Sequence, residues 1–72
     1  MEIDYSKLIG RIIEKFGTRA AFARAMNMKT ETLSRRLNNK TPWNVDEYIK
    51  ASALLDILPN EMGTYFFTVK LR

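Results

Sequence analysis

The stretch TRAAFARAMNMKTETLSRRLNNK, Thr18–Lys40, decides the fold. It reads as two short helices with a tight break between them. Thr18 is suited to cap the first, its hydroxyl accepting from a free backbone N–H at the helix start. Phe22, Ala23 and Met26 then share one face at helical spacing. Asn27 stands where a sharp turn needs positive φ, which Asn tolerates better than most residues. A second helix begins near Lys29 or Thr30, with Leu33 and Leu37 four apart and facing inward. Ala23 matters for its size, because two helices crossing at a wide angle within so few residues need a small side chain where they touch.

Opposite Leu33, the second helix carries Glu31, Arg35 and Asn38, with Thr32 and Asn39 at the margin. Side chains of these types hydrogen-bond to base edges. Arg35 and Glu31 are expected to set recognition. Arg19, Lys29, Arg36, Asn38 and Lys40 are expected to position a phosphate backbone or a protein partner, and Thr30 either caps the helix or points at the same surface. Glu31 also lies four residues before Arg35, so a helix-surface ion pair is an alternative reading. The segment holds six basic residues and one acid, while the whole chain carries a net charge of +4. Basic excess concentrated on one motif is the footprint of a phosphate-binding surface, although an unevenly charged solvated face would look the same.

Phe22-Ala23, Met26-Asn27-Met28, Leu33 and the run LSRRLNNK at Leu33–Lys40 resemble the helix-turn-helix of lambda-repressor and Cro-like phage regulators. With flanking helices the resemblance spans about Ser6 to Ile57. The whole chain, from DYSKLIGRIIEKFGT to YFFTVKL, is similar to the small phage proteins called modulators of repression. The chain departs from the family at Arg19, where Gln is common, and at Arg36, where a hydrophobic residue is common. At Arg36 either the stem packs while the head escapes, or the helix is rotated slightly.

Seventy-two residues make one domain, 1–72, near the lower limit for a self-supporting core. Cysteine and histidine are both absent. That removes disulfides, zinc fingers and Cys- or His-based catalysis together, and a reducing cytosol is the simplest compartment. No run is long and apolar enough to span a bilayer, and no signal-peptide pattern opens the chain. The acids outside the motif are scattered, and no glycine-rich phosphate loop is present. The expectation is therefore no enzyme, no catalytic residue, no cofactor and no metal.

In chain order, Met1 to Tyr5 reads as a frayed lead. Asp4 or Ser6 caps a first helix running to about Phe16, with Leu8, Ile12 and Phe16 in one row and Gly17 as its stop. Asn38 to Pro42 form a loop. Trp43 reads either as a lid over the end of the second motif helix or as an indole touching a phosphate. Asn44 caps the next helix, with Asp46 and Glu47 favourably placed at its N-terminus. Its apolar set, Val45, Tyr48, Ile49, Ala53, Leu54 and Ile57, is expected to close the core. Leu58 to Met62 read as a helical turn broken at Gly63. The tail 64–72 alternates as a strand would, with Tyr65, Phe67, Val69 and Leu71 on one face.

The expected fold is all-α: a compact four- to five-helix, lambda-repressor-like helix-turn-helix domain (motif 18–40) with a short C-terminal strand. Its core is assigned to Leu8, Ile12, Phe16, Phe22, Met26, Leu33, Leu37, Val45, Ile49 and Leu54. The resemblance implies a cytoplasmic regulator of the phage lysis–lysogeny switch that binds and inactivates the phage repressor. On that view the motif surface serves protein contact at least as much as DNA contact. The alternative is a Cro-like repressor binding operator double-stranded DNA as a homodimer. The tail is a candidate for pairing with a second chain, and no membrane contact is expected.

Overall fold

The computed structural model of the protein describes residues 2–71; the sequence readings of Met1 as lead and Arg72 as tail lie outside them. Five helices follow one another: α1 (Ser6–Phe16), α2 (Arg19–Ala25), α3 (Thr30–Leu37), α4 (Val45–Leu54) and α5 (Met62–Phe66). A single 3₁₀ turn at Pro59–Glu61 leads into the last.

Local chemistry sets most of the boundaries. The N-cap of α1 is Tyr5, which makes no side-chain cap bond, rather than Asp4 or Ser6; Asp4, one residue earlier, accepts from the Ser6 N–H at 2.9 Å, and Gly17 closes the helix at φ +82° with its N–H on the Ile13 carbonyl. Thr18 Oγ1 accepts from the Ala21 N–H at 3.1 Å, and Asn27 turns the chain at φ +58°. Asn44 and Glu47 form a reciprocal capping box at the start of α4, with bonds of 2.8 and 3.0 Å. Lys29 precedes α3 without any side-chain cap.

The core joins Leu8 and Ile12 of α1, Phe22, Ala23 and Met26 from the α2 region, and Leu33 and Leu37 of α3. Phe16 is half-buried, its ring edge-on to Phe22 at 5.3 Å. Trp43 is the centre of an aromatic cluster with Tyr5 (6.4 Å), Tyr48 (6.0 Å) and Phe66 (5.5 Å). Its buried indole is a core element, which removes it from any phosphate-contacting role.

Three further expectations are corrected. On α4 the inward residue is Ala51, with Tyr48 half-buried beside it, and the buried Leu55 and Ile57 follow just beyond the helix. Val45 and Ile49 face solvent, 70% and 62% exposed, and Leu54 is half-buried. The rotation of α4 is set by its first turn: Glu47 is bonded to Arg36 and the Tyr48 ring packs on Trp43 and Phe66, which turns Val45 and Ile49 outward. Second, Gly63 lies inside α5, which takes in Thr64, Tyr65 and Phe66. Burial of Phe66 between Trp43 and Tyr48 outweighs the β-propensity of the stretch.

Third, the described part of the lead is not frayed, and the extended part of the tail finds a partner within the chain rather than forming a strand of its own. Ile3 and Val69 form one antiparallel bridge, with Asp4 N–H to Thr68 O at 2.7 Å and Lys70 N–H to Glu2 O at 2.9 Å. Residues 2–4 and 68–70 therefore satisfy part of each other's backbone hydrogen bonding. Among the described residues no helix is long and apolar enough to cross a membrane.

Candidate functional site

The α2–turn–α3 unit presents the sequence-assigned residues, and the structure divides them into two groups. Arg19, Lys29, Thr30, Glu31, Arg35, Asn38 and Lys40 are exposed. On α3, Glu31, Arg35 and Asn38 share the side away from the buried Leu33 and Leu37, because steps of three and four residues return to one face. Thr32 is half-buried at its edge, and Asn38 donates to Ser34 Oγ at 3.2 Å. Among the described residues the ion pairs are Arg11–Glu14, Lys15–Asp56, Arg36–Glu47 and Lys70–Glu2. Glu31 and Arg35 thus do not pair with each other, and both charges stay free on the surface.

Arg36 and Asn39 are spent inside the fold. Arg36 donates twice to Glu47, Nε to Oε1 at 2.9 Å and Nη2 to Oε2 at 3.0 Å, with both side chains only 15% exposed. The bond to Arg36 holds the Glu47 carboxyl below the usual glutamate range, and Glu47 in turn raises the Arg36 guanidinium. The Arg36 guanidinium is thereby neutralised from α4, and its head does not escape to solvent. Asn39, at φ +62°, accepts from the Ile3 N–H at 2.9 Å and donates to the Ile3 carbonyl at 3.0 Å. Its amide completes the bonding of a backbone strand, so it is not free to read a base or a partner.

What remains on this unit is five exposed cations, Arg19, Arg24, Lys29, Arg35 and Lys40, against one exposed acid, Glu31. Such a surface suits polyanions. A second surface was missed by reading the sequence. Val45 and Ile49 on α4 stand exposed beside Tyr48, whose ring touches the half-exposed Phe67 at 5.3 Å. The signal was present: the apolar residues of α4 are too many for one helix face, so some had to point outward.

The fold and the site define a small all-α domain with a basic two-helix unit and an apolar flank, and the chain belongs to the family described as "Protein of unknown function (DUF739)", which matches residues 1–69. It is similar over its whole length to a particular phage protein, the modulator of repression (MOR) of the temperate bacteriophage TP901-1 from Lactococcus lactis. The two share 43% sequence identity, with a TM-score of 0.83 and coverage of 100% of this chain and 97% of that one. No curated protein matches the chain.

Proposed function

We propose that this protein is a phage regulator of the lysis–lysogeny switch, a helix-turn-helix modulator of repression that binds and inactivates a phage repressor. The observation that carries this reading is the full-length similarity to the modulator of repression of TP901-1, in sequence and in fold together. A shared fold alone would leave function open. The reading assigns regulation by contact to a chain of the host cytoplasm, with no catalytic step and no cofactor.

A second reading is favoured by one specific observation, the free Arg35 on the outer face of α3. A Cro-like operator binder would use that guanidinium on guanine and the surrounding cations on phosphates. Weak DNA binding at low salt follows from the charge alone and does not distinguish the two. Pairing of two copies through the tail belongs to this second reading, and the Ile3–Val69 bridge leaves only the outer edge of the tail for it.

The deciding experiment titrates the pure protein with operator DNA, with and without the repressor of the same phage, at two salt concentrations, and runs the two proteins together by size-exclusion chromatography. A protein–repressor complex that releases operator supports modulation. Tight operator binding at physiological salt with no such complex makes the protein a Cro-like DNA binder.

A further inference from the structure

Two polar groups within the aromatic cluster go unanswered. Among the described residues, Thr41 Oγ1 and Trp43 Nε1 are closed to solvent and have no hydrogen-bond partner. Trp43 as a whole is only 5% exposed. The Tyr5 hydroxyl lies near the indole N–H but outside hydrogen-bonding geometry. A buried donor without an acceptor is costly, so each such group in a folded chain calls for an explanation. Thr41 and Trp43 both line one cleft of about 360 Å³, bounded also by Tyr5, Tyr48, Phe66 and Phe67.

We infer that this cleft binds a small, neutral, planar molecule, an aromatic amide or ketone whose carbonyl oxygen accepts from the Trp43 indole. Its volume falls at the lower end of the range for small-molecule sites, about 300–1,000 Å³. The walls select an aromatic ring. Tyr48 stacks on Trp43 at 6.0 Å, Phe66 stands edge-on to both, and Phe67 tilts against Tyr48 at 5.3 Å. A flat ring joins such a set through further offset or edge contacts. The unanswered groups select an acceptor, because an indole N–H only donates and a threonine hydroxyl donates as readily as it accepts. The lining excludes charge. None of the nine described residues around the cleft is ionised at neutral pH, so a carboxylate or phosphate there would lose its water without gaining a counter-ion. Both polar atoms are covered, so a ligand must displace part of the wall to reach them. Phe67, 51% exposed, is the wall residue freest to give way.

The test uses the chain's one tryptophan, whose indole N–H gives a single resonance in a proton–nitrogen correlation spectrum. The full chain is titrated with benzamide, with benzoate, which keeps the shape and adds a charge, and with toluene, which has no acceptor. Benzamide should move the indole proton downfield in a saturable way, with a dissociation constant on the order of 1 mM for so small a molecule. Benzoate should bind at least about tenfold more weakly. Toluene should cause no downfield move. Thr41→Val and Phe67→Ala should each weaken benzamide about threefold to tenfold while keeping the spectral dispersion of the folded chain.

Benzoate binding as tightly as benzamide gives the effect to the exposed cations of the α2–turn–α3 unit and overturns the site. The same indole shift from toluene, or no saturable shift from any of the three, leaves the two groups to bound water and overturns it as well. Tyr5→Phe is the remaining control. Without ligand it should leave the indole proton near its parental position. A large upfield move would mean that the Tyr5 hydroxyl already holds the N–H, which removes the reason for a ligand.

Discussion

Arg36 of α3 and Glu47 of α4 face each other through two parallel hydrogen bonds of 2.9 and 3.0 Å, and Glu47 also caps its own helix by accepting from the Asn44 N–H. One carboxylate therefore fixes both the start of α4 and its rotation against α3. Removing either partner should leave the other charge half-buried and unanswered. We expect Arg36→Ala to cost about 1.5–3 kcal/mol in urea unfolding, the range for hydrogen bonds to charged groups. A double-mutant cycle with Glu47→Gln that shows no coupling would overturn this assignment.

The same pair predicts a pH dependence. Glu47 titrates in the folded chain below its ordinary value of 4.5, first because of the Arg36 hydrogen bond. As pH falls through that region the unfolded chain takes up the proton first, so the stabilisation is whole above about pH 4.5 and is lost below it. Asp4 and Asp56 are lowered in the same direction, by the Ser6 backbone and by Lys15 respectively, so total acid sensitivity cannot isolate the pair. The quantity to measure is the gap in urea midpoint between the parent and Glu47→Gln. It should shrink from pH 7 to pH 3; a constant gap would contradict the account.

Asn39 makes a distinct prediction, because it combines a left-handed backbone with a two-bond clamp on Ile3. Asn39→Gly keeps the backbone easy and deletes the clamp, at a cost of about 1–3 kcal/mol for two lost hydrogen bonds. Asn39→Ala should cost about 1 kcal/mol more, since it adds a Cβ in the left-handed region. Amide exchange at Ile3 should accelerate in both. Glycine proving the worse of the two would mean that backbone geometry, not the clamp, was misjudged.

Core and surface are separable by a pair of substitutions. Leu33, 1% exposed, should lose about 2–5 kcal/mol on change to Ala, most of the stability of so small a domain. Ile49→Ala should change stability by no more than about 0.5 kcal/mol. The reading of α4 as inward at Ile49 predicts two similar losses, and equal shifts of the denaturant midpoint would restore it.

Under the operator-binding reading, Arg35→Ala should cost about 1–3 kcal/mol and relax specificity at one base pair. Lys40→Ala should weaken all sequences alike and lower the salt slope by about one. Equal weakening on every DNA by both variants removes the base-reading role of Arg35.

Sequence alone determined the features that rest on nearest neighbours. Thr18, Asn27, Asn44 and Gly17 act through bonds and dihedrals within a few residues, so their cap and turn roles could be read directly, as could the inward rows Leu8–Ile12 and Leu33–Leu37. Tertiary structure decided everything that needed a partner far along the chain. Val45 and Ile49 were indistinguishable from core residues by periodicity, because α4 is apolar on more than one side. Only the grip of Arg36 on Glu47 and the packing of Tyr48 against Trp43 chose which side faces water. In the same way Asn39 and the alternating tail looked free until Ile3, at the other end of the chain, was brought beside both.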